Sequence, residues 1–175
     1  SYLNVDCFGG NTANAVVEVT GGSTPYIFDW STGASNIVNV PSDEITNLTA
    51  GVYSCTVTWG GGCNESIPFT VTQNDQMSAL ASTTPESCPG AVDGTVTINI
   101  NNGTAPFVYN LSTFPTSPPQ PLSNYTFTGV ASGNYSITVT DVYGCTAQSG
   151  AVVAELSLDI TASNTLISCH GDTNA

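Results

Sequence analysis

Apolar and polar residues alternate with a period of two along most of the chain. Ala15, Val17 and Val19 interleave with Val16, Glu18 and Thr20; Val96, Ile98 and Ile100 with Thr95, Thr97 and Asn99; Tyr53, Cys55, Val57 and Trp59 with Ser54, Thr56 and Thr58. Successive side chains of a strand point to opposite faces, so this pattern predicts antiparallel strands with one face in a core and the other toward water. Turn residues punctuate the runs about every 8 to 12 residues: Gly21-Gly22, Ser31-Thr32-Gly33, Pro41-Ser42-Asp43, Gly60-Gly61-Gly62, Asn102-Gly103 and Tyr143-Gly144. No segment sustains the 3.6-residue period of an amphipathic helix, and the expectation is an all-β chain.

The pattern also recurs at long range. Cys7, Cys88 and Cys169 are spaced by 81 residues, and Cys63 and Cys145, each preceded by Gly, by 82. Between them, Thr24-Pro25-Tyr26-Ile27-Phe28 lies 81 residues before Ala105-Pro106-Phe107-Val108-Tyr109, and Gly51-Val52-Tyr53 lies 82 before Gly133-Asn134-Tyr135. The one-residue change falls in the intervening segment, where a loop absorbs it cheaply. The chain therefore divides into repeat one (1–73), repeat two (74–155) and the opening of a third (156–175), either truncated or serving as a donated strand. About seven strands are expected per repeat, in the first near residues 2–7, 14–20, 25–30, 36–40, 44–48, 52–59 and 66–72. That number fits tandem immunoglobulin-like antiparallel β-sandwiches.

Composition narrows the function. The 175 residues include no Lys, no Arg, 13 Asp and Glu and one His, for a net charge of −13. Nucleic-acid binding depends on cationic contacts to phosphates, and anionic membranes and polyanions are disfavoured by the same absence. Covalent chemistry based on lysine is excluded as well. Charged residues make up only 7% of the chain while hydrophobic residues reach 40%, so a core can form and solubility rests on hydroxyls, amides and uniform negative charge. No run of residues is long and apolar enough for a membrane span, and no membrane insertion is expected in this segment.

With the repeat in view, the motifs take on a family likeness. Cys7 to Gly9, Gly21 to Tyr26 followed by Trp30, Leu48 to Thr58 and Gly62-Cys63 are echoed by Cys88 to Gly90, Pro106-Phe107, Gly133 to Tyr135, Val139-Thr140-Asp141 and Gly144-Cys145. This order resembles the SprB-type repeat of Bacteroidetes gliding-motility and cell-surface adhesins. Trp59 in repeat one stands where repeat two has Asp141, and Leu111 in repeat two where repeat one has Trp30. The resemblance implies a secreted protein at the cell surface, forming the stalk or fibre of an adhesin or filament in adhesion, gliding or a matrix. Its partners would be neighbouring repeats or copies of the same protein, with surface polysaccharide a further candidate.

The residues suggest little catalysis. The carboxylates are scattered, without the facing pair that glycosidase chemistry requires, and His170 beside Cys169 and near Asp172 lacks the four-ligand spacing of a zinc site; no enzyme and no cofactor are expected. Calcium is the metal the acidic residues suggest: Asp75 and Glu155 at the repeat junctions and Asp141 on a loop offer hard oxygen ligands that could stiffen a rod. Cys7, Cys63, Cys88, Cys145 and Cys169 read as disulfide formers in an oxidising compartment. Six cysteines allow 15 pairings. The leading assignment brackets each repeat, Cys7 with Cys63 and Cys88 with Cys145, and the rival joins Cys63 to Cys88 and Cys145 to Cys169 across the linkers. Cys55 has Ile137 as its counterpart and reads as a buried free thiol. An alternative function, a carbohydrate-binding module, would need Tyr26, Trp30 or Trp59 exposed as sugar-stacking platforms. The Pro-rich loop Phe114 to Pro121 is peculiar to repeat two and suits either a binding loop or a guard over a sheet edge.

Overall fold

The computed structural model describes residues 1–156 and Thr161. Twelve strands and no helix occur among them: β1 (Ala13–Glu18), β2 (Tyr26–Trp30), β3 (Ser35–Val38), β4 (Ser42–Leu48), β5 (Gly51–Trp59), β6 (Cys63–Val71), β7 (Ser78–Thr84), β8 (Gly94–Asn101), β9 (Val108–Leu111), β10 (Asn124–Val130), β11 (Gly133–Thr140) and β12 (Thr146–Val153). Every ladder between them is antiparallel.

In repeat one, β1 pairs with β4, and the other sheet runs β3-β2-β5-β6. The buried side of both is the apolar phase read from the sequence. Ala13, Ala15 and Val17 of β1 face Phe28 and Trp30 of β2, Cys55 and Val57 of β5 and Leu48 of β4 in one core. Trp30 is fixed at both ends. Its indole Nε1 donates to Asp43 at 2.7 Å, and its ring meets Phe69 edge-on at 6.1 Å.

Repeat two is built the same way, with sheets β10-β8-β7 and β12-β11-β9 around a separate core. Tyr109 and Leu111 replace Phe28 and Trp30 there, and Ile137 and Val139 replace Cys55 and Val57. Tyr109 is wholly buried except for the use of its hydroxyl, which donates to the Leu122 carbonyl at 3.0 Å.

A tyrosine near the start of β5 and another near the start of β11 reach back to the preceding corner. The Tyr53 hydroxyl donates to the Thr49 carbonyl at 3.1 Å and the Tyr135 hydroxyl to Ala131 at 2.9 Å. This tyrosine corner, with two antiparallel sheets packed face to face, defines each repeat as an immunoglobulin-like β-sandwich.

Two details differ from the sequence reading. Residues 2–7 do not form a strand; only Tyr2 and Val5 make isolated bridges, to Ala15 and to Gln73. The segment is interrupted by the turn at Asp6 to Gly9, whose Gly9 takes a φ of 72°. Repeat two has no equivalent of β3. The Pro-rich loop lies along β9 instead: Gln120 and Phe107 exchange backbone hydrogen bonds, and Ser117 donates its N–H to the Tyr109 carbonyl while its hydroxyl accepts from Tyr109 N–H. Proline lacks an N–H, so this segment closes the sheet edge without offering a new one.

Candidate functional site: the junction between the repeats

The ends of each sandwich are defined by two different turns. One follows the bridge that joins the start of the repeat to its end: Val5 pairs parallel with Gln73, where the chain leaves repeat one, and Cys7 stands two residues beyond. The other is the hairpin turn between the last two strands, which carries Cys63 in repeat one and Cys145 in repeat two. A strand of nine residues such as β6 spans about 25–30 Å, so the two turns lie at opposite ends of one sandwich.

At the junction, the Cys7 turn of repeat one therefore meets the hairpin turn of repeat two. Cys7 and Cys145 form a disulfide there, with Cα atoms 5.4 Å apart and 138 residues between them in sequence. This corrects the expected pairings. Cys7 cannot reach Cys63, nor Cys88 reach Cys145, because each of those pairs straddles the length of a sandwich. The rival pairing fails too, since Cys145 is already bonded and Cys63 and Cys88 lie at the outer ends of the two-repeat unit as free, exposed thiols. Cys169, His170 and Asp172 fall outside the described residues.

Hydrogen bonds brace the two sides of the junction, and one of them, from Asn74 to Asp6, crosses from repeat two to repeat one. The Gly9 N–H donates to Gln73 Oε1 at 2.8 Å, Thr72 N–H to Asn4 Oδ1 at 3.0 Å, and Asn74 Nδ2 to the Asp6 carbonyl at 3.0 Å. On the far side, Asn102 Nδ2 donates to the Gln76 carbonyl at 3.0 Å. Two shallow clefts flank the bridge. One is lined by Asp6, Phe8, Asp75, Met77 and Gly103 beside the two cysteines; in the other, Tyr143 faces Leu3, Asn4 and Asn74.

Asp141 organises the half of the junction that carries Cys145. Oδ1 accepts from the N–H groups of Tyr143 and Cys145, both at 2.9 Å, and Oδ2 from Thr104 N–H at 3.1 Å. Buried and fully engaged in this way, the carboxylate works as a turn clamp. Asp75 and Glu155, the other two residues proposed for calcium, are exposed at separate junctions. No group of three or more His, Cys, Asp or Glu side chains close enough to hold a metal occurs among the described residues.

A second carboxylate clamp was not anticipated. Glu86 is 1% exposed; its Oε1 accepts from Val92 N–H at 3.2 Å and Ser132 N–H at 3.0 Å, and Oε2 from Gly90 N–H at 3.3 Å. Repeat one has Val5 at the matching position, so the repeat comparison pointed to a buried apolar site and concealed this role.

Of the three aromatic residues that sugar stacking would need, Tyr26 is 6% and Trp30 4% exposed. Trp59 alone borders open surface, in a cleft with Glu18, Gly21, Gly22 and Glu65. Gly22 is packed against its indole so closely that an added Cβ would lie 2.8 Å from the ring. Cys55 is completely buried, and burial, together with the nearby negative charges of Asp43 and Asp29, pushes its thiol up to about 11.

The chain is thus a pair of immunoglobulin-like sandwiches strapped covalently across their junction. The SprB repeat family model matches it twice, at residues 3–35 and 80–116, bearing out the resemblance read from the residues; the two matches end at equivalent positions of the two sandwiches, 81 residues apart. The chain carries structural repeats of the surface-protein, adhesin type. No curated protein matches it.

Among solved structures it is similar to a C-terminal 282-residue fragment of intimin, crystallised with the intimin-binding domain of the translocated intimin receptor. The identity is 10% and the TM-score 0.45, over 87% of this chain and 62% of that one. Fibronectin(III)-like modules of Clostridium thermocellum CbhA are similar at 13% identity and a TM-score of 0.35, over 93% and 95% of the two chains. Sidekick-1 immunoglobulin domains 1–5 give 15% identity and a TM-score of 0.33, over 87% and 37%. The chain spans less than two thirds of the intimin fragment's length.

Proposed function

We propose that this chain is a tensile stalk or fibre segment of a long extracellular surface protein, serving adhesion, gliding or a matrix. In this reading the units are 1–73 and 74–155, and their partners are neighbouring repeats. The observation that carries it is the Cys7–Cys145 bridge, which crosses from one sandwich to the next instead of stapling either one. A staple inside a domain stabilises that domain; a strap between domains fixes their relative position, which matters when the assembly is pulled or must stand away from a surface. Formation of the strap requires an oxidising compartment, consistent with a location outside the cell. The surface suits that setting: with no lysine or arginine and a charge of −13, uniform negative charge opposes indiscriminate clumping and polyanions gain no foothold. Neither clamp carboxylate is available for catalysis, because both are occupied by backbone donors.

Immunogold electron microscopy on intact source cells, with antibodies raised against this chain, tests the reading. Label strung along filaments at a distance from the outer surface is the expected result. Label confined to the cell interior would overturn it.

A further inference from the structure

The bridge joins the first cysteine of one repeat to the last cysteine of the next, and each of its halves exists twice in this chain. Cys88 is the repeat-two counterpart of Cys7, and Cys63 the repeat-one counterpart of Cys145. Both are free and exposed. We propose that Cys88 and Cys63 are the two halves of a further bridge of the same kind, made between one copy of this repeat pair and a second copy set head to tail. The proposal rests on the stalk reading and gives it a covalent register.

The local geometry shows that each half is already built. In the Cys7 turn the cysteine carbonyl accepts from Gly10 N–H at 3.0 Å, and in the Cys88 turn from Ala91 N–H at the same distance. Gly9 and Gly90 both take left-handed φ values, 72° and 78°, which glycine adopts without strain. Cys7 stands two residues beyond the bridge of Val5 to Gln73, and Cys88 two beyond the bridge of Glu86 to Glu155.

The hairpin halves match as closely. Gly62 N–H donates to the Trp59 carbonyl and Gly144 N–H to that of Asp141, both at 3.1 Å, with left-handed glycines at 62 and 144. The second bridge therefore needs no rearrangement of either turn. The two halves are different surfaces at opposite ends of the unit, so the contact is heterologous, and repeating it gives an open chain and not a closed dimer.

Bridge formation is thiol–disulfide exchange with a low-molecular-weight disulfide, RSSR, as oxidant. The Cys88 thiolate attacks RSSR, forming Cys88–S–S–R and releasing RS⁻. The Cys63 thiolate of the second copy then attacks the Cys88 sulfur and releases the second RS⁻. Two protein thiols lose two electrons, the oxidant is reduced to two thiols, and the two protein protons end on RS⁻.

The chain with Cys169→Ser, incubated in oxidised and reduced glutathione, provides the test. Products are separated without reductant and digested with pepsin at low pH, where exchange is quenched, and the linked peptides are identified by mass spectrometry. The expected result is a ladder of multimers in which Cys63–Cys88 peptides clearly exceed the half share that random pairing of two thiols gives. Adding Cys88→Ser or Cys63→Ser abolishes the ladder, and mixing those two variants yields dimers and nothing longer. Random proportions, homotypic bridges or no ladder would each overturn the proposal. Because Cys7–Cys145 stays intact in every variant, such a failure leaves the stalk reading to be judged by the immunogold experiment.

Discussion

Two buried side chains in this protein show how one residue's environment sets a measurable property. Cys55 sits in the repeat-one core opposite Trp30 on the neighbouring strand, and burial holds its thiol protonated up to about 11. In the unfolded chain the same thiol ionises near its ordinary value of 9.0. Between those values the folded state binds more protons than the unfolded one, so stability falls as pH rises. The contribution is complete below pH 9, is lost through about 11, and amounts to roughly 2–3 kcal/mol. Cys55→Val fills similar space and cannot ionise. Its urea midpoint, followed by the fluorescence of Trp30 and Trp59, is expected to fall less between pH 8 and pH 11 than that of the parent chain; equal losses would show that the thiol does not titrate on unfolding. Glu86 poses the complementary case, a buried acceptor serving three backbone donors. Glu86→Ala leaves those N–H groups without partners and is expected to cost about 3 kcal/mol. Both tryptophans belong to repeat one, so the loss should appear in the tyrosine near-UV signal of repeat two, with tryptophan fluorescence hardly changed. A joint shift of both signals would contradict the local role.

At the scale of elements, the period-two pattern was enough to place most strands, because burying one face of a sheet leaves little freedom of register. β1, β2, β5 and their counterparts β8, β9 and β11 lie where alternation put them. The pattern failed where backbone geometry outweighs hydrophobicity. Residues 2–7 look like a strand in the sequence, yet the turn that positions Cys7 breaks them. In repeat two the loop from Phe114 replaces β3 and buries Phe114 against Phe127 and Tyr135. Gly94 is another such place. It opens β8 beside a register shift against β10, and an added Cβ would lie 2.6 Å from the Val130 carbonyl oxygen and 2.7 Å from Val153 Cγ1. Repeat one accommodates Ala13 at the corresponding point, so the sequences alone gave no sign of the crowding. The cysteine spacings were fully legible, but the pairing was not. A spacing of 81 or 82 residues fixes which cysteines are equivalent, whereas pairing depends on which end of a sandwich each turn occupies. The two clamp carboxylates stayed hidden for a related reason, since their partners are backbone N–H groups that a sequence does not locate.

For the whole molecule, the strap changes how tension travels. Cys7 lies near the start of repeat one and Cys145 near the end of repeat two, so nearly all of both sandwiches falls inside the 138-residue loop that the bridge closes. In the chain-entropy model, closing a loop of that size restricts the unfolded state by about 5 kcal/mol. The mechanical consequence is larger. A force applied outside the loop passes through the sulfur–sulfur bond and along β12, which follows Cys145, so the chain enclosed between Cys7 and Cys145 is not extended. Unravelling the enclosed chain would release up to about 450–500 Å, at 3.3–3.6 Å per residue, and the bridge withholds that length. Single-molecule stretching with handles at residues 1 and 156 should therefore give almost no extension beyond the flanking residues while the bridge is intact. In reductant, or with Cys7→Ser and Cys145→Ser together, two unfolding events should appear and the withheld length should be recovered. If the oxidised chain lengthens as far as the reduced one, the bridge does not carry the force, and the tensile role assigned to the junction is wrong.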